Sequence, residues 1–159
     1  MSCLTVRHFL LQKPDGGIMN EQIETLFINT YIQKQYRERL LFELKDITSK
    51  THKRGQAFYK LSWAQDYVIS QMVAVSSNKL TEHDVLSFVE KMVGDKNCYY
   101  MNAWEGEELP INEAIEKAFN DLGVSVIVYK DRFAIIKDET AIGAPNKIIL
   151  VNSGEFNDK

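Results

Sequence analysis

Two short runs near the end of the chain most constrain the fold. The runs VSVIVYK (124–130) and RFAIIKD (132–138) are rich in β-branched and aromatic residues, and they meet at the polar stretch KDR. Such runs joined by a tight polar connection are typical of an antiparallel hairpin. APNKIILVN (144–152) predicts a further strand, and NCYYMNAW (97–104) also has strand-forming residues. The sequence therefore predicts a small antiparallel sheet towards the C-terminus.

The N-terminal part shows helical periodicity instead. Apolar side chains recur at spacings of three and four over 23–47, and Asn20 before them is a suitable N-cap. The polar residues 33–35 are compatible with either two helices or one long helix, because no Gly or Pro enforces a break.

Three further helices are predicted before the hairpin. An apolar pattern predicts one over 58–72. Thr81 and Asp84 resemble a capping box at the start of another, KLTEHDVLSFVEKMVGD (79–95). INEAIEKAFNDLG (111–123) predicts the third, and the segment before it, EGEELP (105–110), is expected to be a surface loop. This order predicts the α+β class, with N-terminal helices packed on a small C-terminal antiparallel sheet with one inserted helix.

Length and composition favour one folded domain. The chain has 159 residues, of which 45% are hydrophobic and 26% charged, which is enough to bury a core. Because KPDGG separates the first residues from the helical pattern, we expect residues 1–18 to be a dispensable lead-in and residues 19–159 to form a single α+β domain. Cys3 and Cys98 match no metal or redox spacing, which favours a reducing, cytoplasmic setting. We expect neither a signal peptide nor a membrane span.

A basic segment is the first candidate site. Residues 31–60 contain eight basic and three acidic side chains, although the whole chain has a formal charge of -3. Such a segment could contact phosphates. Arg37 and Arg39 lie about 200° apart on a helix, and Arg39 is spaced for an i,i+4 pair with Glu43, so the helical part is expected to be a solvated face. The loop KTHKRG remains as a nucleic-acid contact, through Lys50, His52, Lys53 and Arg54. Three nearby aromatic residues fall on apolar stripes and are expected in the core: Phe42, Phe58 and Trp63.

An acidic segment is the second candidate site. Residues 80–122 contain ten acidic and three basic side chains. Within them, WEGEEL (104–109) places Trp104 beside Glu105, Glu107 and Glu108. An aromatic anchor among carboxylates suits contact with a basic partner surface. The alternative is an ordinary solvated loop whose Trp104 turns inward.

Signatures of catalysis are lacking in the sequence. Its three histidines are scattered, and no hydrolase, phosphate-binding or dinucleotide-binding motif occurs. Cys98 lies in an apolar strand and is expected to be a buried small hydrophobe rather than a nucleophile. We therefore expect a protein that is not an enzyme and that has no cofactor and no metal. A small hydrolase or transferase would require a ligand pocket that the sequence does not reveal.

The segments ETLFINTYIQKQYRERLLFELKD (24–46) and LPINEAIEKAFNDLGVSVIVYKDRFAIIKDE (109–139) resemble small, largely uncharacterised bacterial proteins. These proteins have an RERLLFEL-type helix and a C-terminal helix plus hairpin. The resemblance implies a bacterial cytoplasmic protein with helices followed by a sheet. It supplies no catalytic residue.

The functional expectation combines size, charge and the lack of motifs. Small bacterial proteins of this kind recurrently bind and neutralise a cognate toxin, as immunity proteins do. Because toxins that act on nucleic acid tend to be basic at their active sites, an acidic surface with an aromatic anchor is a suitable blocking surface. The sequence thus favours a protein-binding module of the immunity type that uses the segment from Trp104 to Glu108. The alternative is a nucleic-acid-associated accessory protein that uses the basic loop 50–54, and neither hypothesis involves a membrane.

Overall fold

A six-stranded antiparallel sheet forms the centre of the structure. The computed structural model describes residues 19–47, 52–93, 96–141, 144–145 and 148–152. The sheet order is β1-β8-β5-β4-β2-β3, and every neighbouring pair is antiparallel. The strands of this sheet are β1 (Val73–Ser77), β2 (Asn97–Asn102), β3 (Gly106–Pro110), β4 (Ser125–Tyr129), β5 (Phe133–Lys137) and β8 (Ile148–Asn152). The short strands β6 (Thr140–Ala141) and β7 (Ala144–Pro145) form a separate pair.

Helices cover both faces of the sheet. They are α1 (Glu21–Tyr31), α2 (Lys34–Lys45), α3 (Lys53–Leu61), α4 (Ala64–Tyr67), α5 (Glu82–Val93) and α6 (Ile111–Asn120), with a 3-10 turn at Ser70–Met72. Tyr99 and Met101 pack with the helices α1 to α4, whereas Cys98 and Tyr100 point to the other face and pack with α5 and α6. Because both faces are covered, β4 and β5 are buried along their whole length.

The predicted α+β class is confirmed, with a larger sheet than expected. Strand β1 precedes α5, so the order is not simply helices followed by strands. Helix α6 is the inserted helix of the prediction, and α5 joins it on the same face. The hairpin of β4 and β5 forms as predicted, with Tyr129 paired to Phe133.

The chain divides into two helices at residues 32 and 33. The Asn20 side chain accepts hydrogen bonds from the first-turn amides of α1, which confirms the predicted cap. After α1, the Gln33 side-chain amide donates to the carbonyl groups of Asp66 and Val68, each at 3.0 Å. These bonds tie the break to the α4 region, so distant residues decide between the two alternatives that the sequence left open.

The predicted capping box of α5 is present. The Thr81 amide donates to Asp84 Oδ2 at 2.9 Å, and the Asp84 amide donates to Thr81 Oγ1 at 3.2 Å. The hydrogen bonds from Thr81 lower the pKa of Asp84 below its ordinary value. This helix start is thus specified by four consecutive residues.

Several local expectations were wrong. The helix predicted over 58–72 is broken into the end of α3, then α4, then the 3-10 turn. The expected loop EGEELP contains strand β3, because Glu107 and Leu109 pair with Tyr100 and Cys98 of β2. Phe42 and Trp63, expected in the core, are 53% and 58% exposed, whereas Phe58 is buried as expected.

The described part of the chain contains no helix that is both long enough and apolar enough to cross a bilayer. The predicted lead-in of residues 1–18 lies outside the described residues.

Candidate partner-binding cleft

The two candidate segments of the sequence lie against each other in the structure. The His52 and Trp104 rings have centroids 3.9 Å apart, at an interplanar angle of 55°. Arg54 Nε also donates to the Asn102 carbonyl oxygen at 3.1 Å. The basic and the acidic candidate sites are therefore parts of one region rather than two separate surfaces.

Arg54 is buried, contrary to its expected role as a phosphate contact. It is 1% exposed, and its guanidinium binds the Glu24 carboxylate through two contacts, at 2.5 Å and 3.1 Å. The Tyr99 hydroxyl donates to the same carboxylate at 2.8 Å, and Arg54 also donates to the Leu44 carbonyl oxygen at 3.0 Å. Because a buried charge requires a partner, Glu24 and these acceptors compensate the guanidinium inside the protein.

The rest of the basic loop offers little charge to a polyanion. Lys50 lies outside the described residues. The Lys53 ammonium lies 4.6 Å from the centroid of the Phe42 ring and is half-buried. Among the predicted nucleic-acid contacts that the structure describes, Lys53 has a cationic side chain that is partly exposed at the surface.

His52 adopts a backbone conformation that is uncommon for residues other than glycine. Its φ and ψ are 40° and 46°, in the left-handed region, immediately before α3. A Cβ atom on Gly55 would lie 2.3 Å from His52 Nδ1, so the imidazole occupies space that only a glycine leaves open. The sequence THKRG therefore places the His52 ring against α3, where it contacts Trp104.

The turn that carries Trp104, residues 102–105, is built on one asparagine. Asn102 Oδ1 accepts hydrogen bonds from the main-chain amides of Trp104 and Glu105, both at 2.9 Å. The main-chain amide of Asn102 donates to the Glu105 carbonyl oxygen at 2.9 Å. Arg54 Nη2 contacts the Glu105 carbonyl oxygen at 3.4 Å from below. Trp104 is 64% exposed on this turn, so it does not turn inward.

A partly buried polar network holds the side chain of Asn102. Asp121 Oδ2 accepts hydrogen bonds from Tyr100 at 2.7 Å, Asn102 at 2.8 Å and Ser125 at 3.0 Å, and Oδ1 accepts one from the Gly123 amide at 3.0 Å. Desolvation raises the pKa of Asp121, but these hydrogen bonds outweigh it and lower the pKa below its ordinary value. Asp121 is therefore ionised at neutral pH.

Lys137 is a buried cation that sequence reasoning missed. It is 1% exposed and lies opposite Ser125 in the sheet. Its ammonium donates to the Asp121 carbonyl oxygen and, at 3.3 Å, to Thr140 Oγ1. Desolvation lowers its pKa. A lysine at the end of a strand usually reaches solvent, so no local sequence signal indicated this burial.

An open cleft of about 340 Å³ lies beside this network, and we call it the aromatic cleft. Its walls include two strongly exposed aromatic side chains, Tyr59 at 63% and Trp104 at 64%. The charged residues that line it, Asp121 and Glu139, are both acidic. The lining residues are Gly55, Phe58 and Tyr59 from α3, Asn102, Ala103 and Trp104 from the turn, and Asp121, Gly123, Val124 and Glu139.

The three predicted acidic contacts differ in their surroundings. Glu105 and Glu107 both bind the Lys117 ammonium, at 2.9 Å and 2.8 Å, so two carboxylates share one cation. Glu108 is exposed and pairs with Tyr99 across the edge of the sheet. The structure thus brings Glu105 next to Trp104 on the turn and places Glu107 and Glu108 further along β3.

Two observations concern reactive and metal-binding side chains. Cys98 is buried, as expected, and burial raises its thiol pKa to about 12, which keeps the thiol protonated at neutral pH. The described residues contain no group of three or more His, Cys, Asp or Glu side chains that could hold a metal ion.

Comparisons with known protein families, with curated proteins and with solved structures find no match to this chain. The function must therefore be argued from the geometry of the cleft and of the surface around it.

Proposed function

We propose that this protein is a non-catalytic binding module of the immunity type, which inhibits a cognate toxin in the bacterial cytoplasm. The proposed contact surface consists of the aromatic cleft and the neighbouring acidic side chains. The observation that carries the proposal is Trp104, a largely exposed indole on a turn that the buried Arg54 and the half-buried Asp121 hold through Asn102.

Trp104 has the properties of a binding hot spot. Tryptophan is enriched among the residues that dominate binding energies, because its large rigid surface is desolvated at little entropic cost. Asn102 shapes the turn, and Arg54 and Asp121 hold Asn102 through hydrogen bonds. A side chain that is already positioned before binding loses less conformational entropy when the partner arrives.

The charges around Trp104 favour a basic partner. Asp121 and Glu139 line the cleft, and Glu105 and Glu107 together carry one more charge than Lys117 neutralises. A basic surface, such as the active site of a toxin that acts on nucleic acid, would meet complementary charge here. This arrangement is unfavourable for phosphate groups, which weakens the alternative of an accessory protein that binds nucleic acid through the basic loop.

The first test is affinity purification of the tagged protein from its native host, with and without nuclease, followed by binding measurements with the purified partner. Trp104→Ala should weaken that binding by about 30-fold or more, the level expected for a hot spot. Trp63→Ala is the matched control, because Trp63 is similarly exposed but does not line the cleft. Both variants should unfold at the temperature of the wild type.

Equal effects of the two tryptophan substitutions would refute the proposed surface. Co-purification of nucleic acid, or of proteins that nuclease treatment removes, would favour the accessory-protein alternative. In that case, affinity for labelled RNA or DNA should fall steeply as the salt concentration rises.

A further inference from the structure

We propose that the aromatic cleft binds one arginine side chain of the protein partner, with the guanidinium against Tyr59 and Trp104 and its charge directed towards Asp121 and Glu139. This inference rests on the proposed function, because it names the chemical group of the partner that enters the cleft.

The cleft is large enough for an arginine side chain to enter. Its volume of about 340 Å³ is at the lower end of the range of ligand pockets, roughly 300 to 1,000 Å³. The cleft is open to solvent on one side, as Tyr59 and Trp104 remain largely exposed. An extended side chain of a docked protein could therefore enter without any movement of the backbone.

The charge of the cleft selects for a cation. Asp121 and Glu139 are its charged lining residues, and no lysine or arginine lines it among the described residues. An apolar side chain would desolvate two carboxylates, for which the buried Lys137 supplies one positive charge, and a phosphate would be repelled by the net negative charge. Lys137 binds the main-chain carbonyl of Asp121 and its charge acts on both carboxylates, but it is 1% exposed and does not line the cleft, so one negative charge of the cleft remains for a partner.

Asp121 has an oxygen atom that can take a further hydrogen bond. Its Oδ2 accepts from Tyr100, Asn102 and Ser125, whereas Oδ1 accepts one described hydrogen bond, from the Gly123 amide. A carboxylate oxygen has two lone pairs, so Oδ1 has capacity for another donor. The network therefore fixes the position of the carboxylate and leaves it able to bind a donor from the cleft.

The aromatic walls distinguish arginine from lysine. Cations are attracted to the faces of Trp and Tyr rings, and the planar guanidinium also stacks on them. Its five donors can serve two carboxylates at once, whereas a lysine ammonium is a compact and more strongly hydrated charge. Tyr59 and Trp104 stand on different elements, α3 and the turn 102–105, and both line the cleft.

The test is an NMR titration of the full chain with N-acetyl-arginine methylamide, and with its neutral isostere N-acetyl-citrulline methylamide, up to about 20 mM, because a single side chain binds in the millimolar range. The arginine derivative should shift the indole resonance of Trp104 and the amides of residues 102–105. The Trp63 indole resonance should stay unchanged and acts as an internal control. The citrulline derivative should cause much smaller shifts.

Substitutions then identify the groups that bind. Glu139→Gln should weaken binding about two- to fivefold, as expected for an exposed ion pair, and Tyr59→Leu should weaken it by a similar factor. Trp63→Leu, the matched control, should have no effect. Glu139 is preferred over Asp121 for this test, because Asp121 also holds the turn of Trp104.

Each negative outcome has a distinct meaning. Equal shifts with citrulline, shifts shared by Trp63, or no shift with arginine would overturn the inference. If no shift occurs while Trp104→Ala still weakens binding of the partner, the proposed function stands without an arginine in the cleft. If arginine binds but Trp104→Ala leaves partner affinity unchanged, the proposed function fails instead.

Discussion

Replacement of Arg54 by methionine tests whether the buried ion pair supports both the fold and the turn of Trp104. Arg54 is 1% exposed, and Glu24 is 5% exposed. The methionine variant leaves the Glu24 carboxylate buried with the Tyr99 hydroxyl but without its cation. Breaking a buried pair in this way costs about 3 to 5 kcal/mol of unfolding free energy.

The expected loss can be measured by urea denaturation and by thermal unfolding. For a chain of this size, a loss of about 3 to 5 kcal/mol corresponds to a fall in Tm of roughly 6 to 20 °C. Arg54 also donates to the main-chain carbonyls of Asn102 and Glu105, at 3.1 Å and 3.4 Å. The variant should therefore also shift the NMR resonances of residues 102–105 and of the Trp104 indole.

A double variant separates the ion pair from the other contacts of Arg54. In Arg54→Met/Glu24→Leu the unpaired charge is gone, while the hydrogen bonds to the carbonyl groups remain lost. We expect the two substitutions to be non-additive by about 1 to 3 kcal/mol, with the double variant more stable than the sum of the single losses implies. Additive losses, or a cost below about 1 kcal/mol for Arg54→Met alone, would refute this account of the buried pair.

Three further predictions concern other positions. Gly106→Ala should destabilise the protein by about 1 to 3 kcal/mol in urea denaturation, because a Cβ atom there would lie 1.8 Å from the Tyr99 hydroxyl oxygen. In the control Gly123→Ala, the nearest described atom beyond the adjacent residues is Asp121 Oδ1 at 3.6 Å, so equal losses would contradict this. Cys98 should react with a thiol reagent at pH 8 far more slowly in the folded than in the urea-unfolded protein, since its pKa is raised to about 12; rapid labelling of the native Cys98 would show that the thiol is accessible. The pKa of Asp121 in the folded protein lies below its usual 3.8. The ionised Asp121 carboxylate therefore stabilises the folded protein above about pH 4, and this stabilisation is lost as the pH falls through the folded pKa. The stability difference between the wild type and Asp121→Asn should therefore narrow on acidification, and a constant difference from pH 7 to pH 2 would argue against it.

Short-range signals in the sequence predicted three local features correctly. The cap at Asn20, the capping box of Thr81 and Asp84, and the β4–β5 hairpin all depend on residues that are close in the chain. The strand β3 was missed because its acidic residues resemble a loop. An edge strand can carry Glu107 and Glu108, since no described strand pairs with its outer side and its charges reach Lys117 or solvent.

The candidate site was predicted in part. The segment from Trp104 to Glu108 was selected by its composition, and the structure places the Trp104 indole at the surface. Tyr59, Asp121 and Glu139 were not selected, because each comes from a different element and none has a distinctive local pattern. Their common position at one cleft depends on the packing of α3 against the end of the sheet.

The sequence alone determined the class of the fold, the hairpin and the starts of two helices, because periodicity and capping act within a few residues. Tertiary structure decided the roles of Arg54 and His52. The segment KTHKRG predicts that Arg54 is a surface cation, but in the structure Arg54 is buried and paired with Glu24 from a different helix. The fold also brings His52 into contact with Trp104, so the basic and the acidic candidate sites lie in one region. A charged side chain is stable in the core only where it has a partner of opposite charge or hydrogen-bond acceptors. The partner of Arg54 is distant in sequence, and the two residues meet only when the helices pack on the sheet.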